Sequence, residues 1–186
     1  MVVFILDESK WLTWSLGLAL VSAAILLLRS RASEVSVRRR VLAAMSLFFA
    51  VTIGTMALGH LLAVSTKLAL GTLEGSVPVF YAIGVALAVP SWWLIGHTRT
   101  ILASEGHGRL TMALHVWLAL TLLALGIHNL PLAAPAFLNV GYHLHSRRVV
   151  GWLIVGVTIV LQVGLFIGSL IFLASGQSFE QFRGVE

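Results

Sequence analysis

Five runs of about 18 or more mostly apolar residues fill this chain, near positions 11–28, 41–66, 78–97, 110–128 and 149–174. A stretch of about 20 apolar residues is what an α-helix needs to cross the hydrocarbon core of a bilayer. Backbone N–H and C=O groups in lipid must find their partners within the segment, so such runs are helices rather than single strands. The five runs leave only short connections. They predict an all-α membrane protein, a bundle of five transmembrane helices forming one integral membrane domain over residues 1–186.

Composition agrees. Charged residues make up 10% of the 186, where a soluble domain carries roughly a quarter, and the mean hydropathy is +0.99. The opening MVVFILDESK has its apolar residues before its charges, the reverse of a secretory signal, so no cleavable leader is expected. Cysteine is absent, which excludes disulfides, cysteine-ligated iron–sulfur clusters and thiolate zinc sites.

The net charge of +5 does not indicate a nucleic-acid partner, because the basic residues are confined to connections. Arg29, Arg31, Arg38, Arg39, Arg40, Arg99, Arg109 and Arg183 fall on one side of the predicted bundle. Lys10, Lys67, Arg147 and Arg148 fall on the other. The positive-inside rule makes the richer side cytoplasmic, with the N-terminus outside and the C-terminus inside. The segment SRASEVSVRRR then reads as a topology anchor. Trp11, Trp14, Trp92, Trp93 and Trp152 stand near the ends of runs, where amphipathic rings meet the headgroups. Pro78 opens the third run and Pro90 is expected to kink it. The connection 129–148, NLPLAAPAFLNVGYHLHSRR, is apolar for a loop. It is expected to pack on the bundle or a partner subunit, or to form a short interfacial helix.

Seven histidines stand out against so few polar residues. In the topology above, His60 and His128 lie toward the outer face, with His143 and His145 in the outer loop. His97 and His115 lie toward the inner face, and His107 in the inner loop. The second to fifth runs contain no Asp or Glu, against the membrane-embedded carboxylate usual in a proton or cation transporter. Imidazole is the ionisable group offered to the interior, and it is a common metal ligand. A bare imidazole in hydrocarbon is costly. The alternatives are therefore a cofactor, or a hydrogen bond to a neighbouring carbonyl. His107 reads as a solvated loop residue and His143 as interfacial.

His115 and His128 are 13 residues apart. On one continuous helix that is roughly 20 Å along the axis and about 140° around it. Two haems stacked across a bilayer need about that separation, with the two rings facing different neighbouring helices. Gly54, Gly59, Gly96 and Gly126 near the histidines admit either a flat group or a close helix.

The segment TMALHVWLALTLLALGIHN, followed after the connection by YHLHSRRVVGWLIVGVTIVLQ, resembles the central part of the cytochrome b561 family, membrane di-haem electron carriers. The matching positions are His115, His128 with Asn129, and Leu144–His145–Ser146 with Gly151, about 50 residues in all. The resemblance implies that His115 and His145 ligate haem and that His128 with Asn129 lies by the haem edge or substrate face. Two of that family's ligand positions have no counterpart. Residues 78–82, PVFYA, hold no histidine, and none follows His145. The missing ligands would come from His60 and His97.

The expected function is a transmembrane b-type cytochrome subunit carrying one or two bis-histidine haems in the bacterial inner membrane. His60 with His128 or His145 would hold an outer haem, and His97 with His115 an inner one. Electrons would pass between another subunit of a respiratory or electron-transfer complex and quinone or another acceptor. The alternatives are a cofactor-free structural or assembly subunit, or a histidine-ligated chlorophyll or copper-handling membrane protein. Copper handling usually adds Met or Cys ligands, and Met45, Met56 and Met112 form no cluster in sequence. No HExxH or glycine-rich phosphate loop occurs.

Overall fold

The computed structural model describes residues 8–30, 35–103 and 108–144, and scattered helical residues between 153 and 174. The described residues form five α-helices: α1 (Glu8–Ser30), α2 (Val37–Ala69), α3 (Val77–Ala103), α4 (Gly108–Ala124) and α5 (Leu130–Leu144). A 3-10 turn, Ile127–Asn129, joins α4 to α5. The stretches Lys10–Ser30, Val37–Ala69 and Val77–Arg99 are long and apolar enough to cross a membrane, while α4 and α5 are apolar but shorter.

α2 is the central helix. Most of its residues from Leu42 to Gly54 are buried, and α1 and α3 pack along it. α1 and α3 turn large apolar side chains outward, among them Trp14, Leu28, Val79, Trp92 and Trp93. Exposed apolar surface on that scale would be a liability in water and is the ordinary condition of a lipid-facing helix. Trp14, Trp92 and Trp93 are thus outward, as a headgroup belt requires, but Trp11 turns inward onto Gly59. Gly59 accepts it because any Cβ there would land on the indole. Gly84 receives Leu61 and the edge of His60 in the same way. These two glycines serve close side-chain packing between helices.

Local chemistry sets the helix ends. Ser36 caps α2, its hydroxyl accepting from the Arg39 N–H at 3.4 Å. At the other end Gly71, at φ 66°, takes the left-handed conformation of a Schellman motif. Thr72 N–H donates to Lys67 O at 2.9 Å and Gly71 N–H to Leu68 O at 3.1 Å. Pro78 sits in the first turn of α3, where its missing N–H costs nothing. Pro90 lies inside α3 and deprives the Ala86 carbonyl, four residues back, of its helical donor. Trp117 of α4 supplies the replacement, its Nε1–H donating to Ala86 O at 3.1 Å. A neighbouring helix that re-satisfies a freed carbonyl is how membrane helices tolerate proline.

One expectation is corrected and one is narrowed. The run 110–128 is not one helix: α4 ends at Ala124, and Gly126, at φ 144°, turns the chain out of helical geometry. The 13-residue spacing of His115 and His128 therefore does not measure a distance along a single helix. Secondly, of the alternatives for the connection 129–148 the short helix is the one observed: most of it is α5 rather than a loop. Its packing on the bundle is as expected: Ala133, Ala136 and Asn139 are fully buried. Two hydrogen bonds fix its course. Asn129 Nδ2 donates to Leu122 O at 3.2 Å, and Asn139 Nδ2 donates to His115 Nε2 at 3.1 Å. The later residue meets the earlier partner, so α5 runs back antiparallel to α4 for roughly 22 Å. The predicted fifth run, 149–174, falls largely outside the described residues, Trp152 included.

Candidate functional site: a cavity at the α2–α3 end of the bundle

The end of the bundle that carries the α2–α3 turn holds a cavity of about 380 Å³, lined by residues from α1 to α5. This is at the lower end of the range of small-molecule sites, about 300–1,000 Å³. The walls are mainly apolar: Trp11 from α1, Ile53, Met56 and Ala57 from α2, Phe80, Ile83 and Leu87 from α3, and Leu122, Leu125 and Leu132 from the α4–α5 hairpin. Among the described residues, His60 and Asn129 add polar side chains to the lining beside the Trp11 indole.

His60 is half-buried on α2. Its Nε2 lies 3.0 Å from the Phe80 carbonyl oxygen. A carbonyl only accepts, so Nε2 carries the hydrogen and donates, leaving Nδ1 as an acceptor. The Phe80 ring stands 6.5 Å away at 56°, and His60 Cδ2 lies beside Gly84. The Nε2–Cδ2 edge thus faces α3, and Nδ1 is on the far edge of the ring. Orientation of one imidazole nitrogen by a backbone carbonyl is the usual way to present the other to a ligand or metal. Asn129 follows the same logic. Its Nδ2 donates to Leu122 O, which leaves Oδ1 as the remaining acceptor.

His115 is different. It is 0% exposed and lies where α2, α4 and α5 meet. Its ring stacks on Phe49, centroids 5.4 Å apart at 20°. Nδ1–H donates to Thr111 O at 2.7 Å, and Nε2 accepts from Asn139. Both ring nitrogens are engaged, and no lone pair remains for a metal in this arrangement. Asn139 Oδ1 is buried without a hydrogen-bond partner. Asn139 was not visible as a partner in the sequence because it stood in a segment that read as a loop.

His97 is on α3 and half-buried. His128 is in the 3-10 turn between Leu125 and Asn129, both of which line the cavity, so the structure brings the His128 backbone to the rim of the space that His60 borders. α5 carries the chain away from His60 toward the opposite end of the bundle. His145 lies outside the described residues, as does His107, and His143 is in α5. Among the described residues no three His, Asp or Glu side chains converge on a point that could hold a metal ion. Neither protein-family models nor curated proteins nor solved structures give a match to this chain.

Proposed function

We propose that this chain is an integral membrane subunit of an electron-transfer assembly, and that the cavity at the α2–α3 end receives a small lipid-soluble molecule of the quinone class. One observation carries the reading. A cavity of small-molecule size, bounded by apolar walls, is bordered by an imidazole whose Nε2–H is tied to a carbonyl and whose Nδ1 is left over. Apolar walls with a few placed polar groups are the usual make-up of a ligand site. By the positive-inside rule the arginine-rich α1–α2 connection favours a cytoplasmic position for its own end of the bundle, which on this reading would set the cavity toward the outer face of a bacterial inner membrane. The test is a titration of the detergent-purified protein with a short-chain quinone and its reduced form, read by quenching of Trp11 fluorescence against a Trp11→Phe control. Saturable quenching lost in the control is expected. No saturable binding of either form refutes the reading.

A second reading, b-type haem, is favoured by the position of residue 128. Bis-histidine ligation needs two imidazoles facing each other across a macrocycle. His60 offers one unengaged nitrogen and the His128 backbone lies at the same rim, so these two are the residues that would hold an outer haem. When bound, haem supplies reversible one-electron chemistry between ferrous and ferric iron, tuned by its axial ligands and by burial. The chain's own part is to orient the His60 ring through Phe80 O and to keep water out with apolar walls. The inner pair fits poorly, since Asn139 and Thr111 occupy both nitrogens of His115. A dithionite-reduced minus oxidised spectrum with a b-type α-band that disappears in His60→Ala supports the outer haem. A purified protein without a Soret band refutes it.

A further inference from the structure

Beside the Trp11 indole, the polar side chains among the described lining residues, His60 and Asn129, have one property in common. Each has already spent a donor on a backbone carbonyl, His60 on Phe80 and Asn129 on Leu122. What His60 has left is Nδ1, which only accepts, while Asn129 keeps Oδ1, an acceptor, and a second amide N–H. From this, and resting on the cavity being a ligand site, we infer that the cavity selects a molecule that presents a hydroxyl donor to His60, the reduced hydroquinone form, over a quinone or an ether of the same shape.

The physical reason is the asymmetry of hydrogen bonding in an apolar space. A quinone carbonyl brought against an acceptor nitrogen has no hydrogen to share. Both groups lose water and gain nothing, a penalty larger than the gain from a bond well made. A hydroxyl in the same place donates to Nδ1 or Oδ1 and is satisfied. Sites built around one hydrogen-bonding polarity reject shape analogues lacking the matching group more strongly than apolar walls can. The Asn129 amide retains a second N–H, so it tolerates a ligand oxygen beside its acceptor, but the neutral His60 ring offers only Nδ1. His60 is therefore the stronger selector of the two.

The consequence is thermodynamic. A site that holds the reduced form more tightly than the oxidised form favours reduction of whatever couple occupies it, by linkage between binding and redox state. In an electron-transfer assembly this cavity would retain reduced carrier and release the oxidised one.

The test compares shape-matched probes on the full-length protein in detergent: 2,3-dimethylhydroquinone held reduced under anaerobic conditions, its O,O-dimethyl ether, and the corresponding quinone. Trp11 fluorescence is the readout. The satisfied His60 acceptor is worth about tenfold in affinity at the upper end of a net hydrogen bond, so the diol should bind roughly 10-fold more tightly than ether or quinone. His60→Phe should reduce the diol-to-ether ratio by about tenfold while leaving ether binding intact, and Asn129→Leu should reduce it by less. Equal binding of diol and ether to the unaltered protein overturns the donor preference and leaves the cavity standing as a ligand site. Binding of none of the three overturns the cavity reading itself. The comparison on unaltered protein decides the matter even if a variant fails to fold.

Discussion

The bond from Trp117 to Ala86 makes a sharp prediction because its reason for existing can be removed. Pro90 strips the Ala86 carbonyl of its helical donor, and Trp117 Nε1 replaces it at 3.1 Å. Trp117 is 56% exposed, so Trp117→Phe loses little packing and mainly the hydrogen bond. Interhelical hydrogen bonds in membranes average about 0.6 kcal/mol and reach about 1.7. An orphaned carbonyl in hydrocarbon adds to the loss, so a cost of about 1–2 kcal/mol is expected. In Pro90→Ala, residue 90 regains an N–H that closes the α-helical bond to Ala86 O, and the Trp117 donor becomes redundant. The same Trp117→Phe change should then cost less than about 0.5 kcal/mol, giving a coupling near 1 kcal/mol, above the usual additivity error of about 0.3–0.5 kcal/mol. The assay is reversible unfolding in mixed micelles of mild detergent and dodecyl sulfate, followed by far-ultraviolet circular dichroism for the four proteins of the cycle. Equal cost of Trp117→Phe in both backgrounds would refute the claim that Trp117 compensates for the proline.

Further expectations follow from the same structure. Asn139→Ala should destabilise by about 1–3 kcal/mol because it removes a buried donor to His115 Nε2, while His115→Leu combined with Asn139→Leu should cost less than the sum of the two singles in the same unfolding assay. Gly126→Ala should cost more than about 1 kcal/mol, since φ 144° is strained for any residue with a Cβ. Gly59→Ala should displace Trp11 from its seat, cost about 1–3 kcal/mol by overpacking, and shift the Trp11 emission maximum. That shift is checked by fluorescence against Trp11→Phe.

The helical architecture was readable in the sequence where apolar runs were long and continuous. α1, α2 and α3 lie where those runs predict. That α5 read as a connection, with a short helix only as one alternative, has a physical cause. Pro131, Pro135 and Asn129 look like loop residues in a linear reading. Yet Pro131 is in the first turn of α5, where proline fits, and the alanines around Pro135 let the helix settle against the bundle. Burial against a neighbour outweighed local propensity. Gly126 carried a stop signal of the kind common just past a helix end. Taken as a place for a flat group to approach, it left His128 wrongly on the same helix as His115.

The histidines show why spacing reaches only part of the way to function. His60 and His115 look alike in sequence, each an imidazole in an apolar run. Each also donates one N–H to a backbone carbonyl, the bland alternative for a buried histidine. What separates them is the second nitrogen. For His115 it meets the amide of Asn139, 24 residues away in sequence, and the ring becomes a hydrogen-bonded junction of α2, α4 and α5. For His60 the remaining nitrogen is on the ring edge away from α3, in a side chain that borders a cavity. That difference depends on where α5 lies, and α5 was the element the linear pattern obscured. An imidazole with both nitrogens engaged has its hydrogen-bonding capacity committed to the fold, whereas one with an acceptor remaining beside an apolar cavity retains a group that a ligand can satisfy.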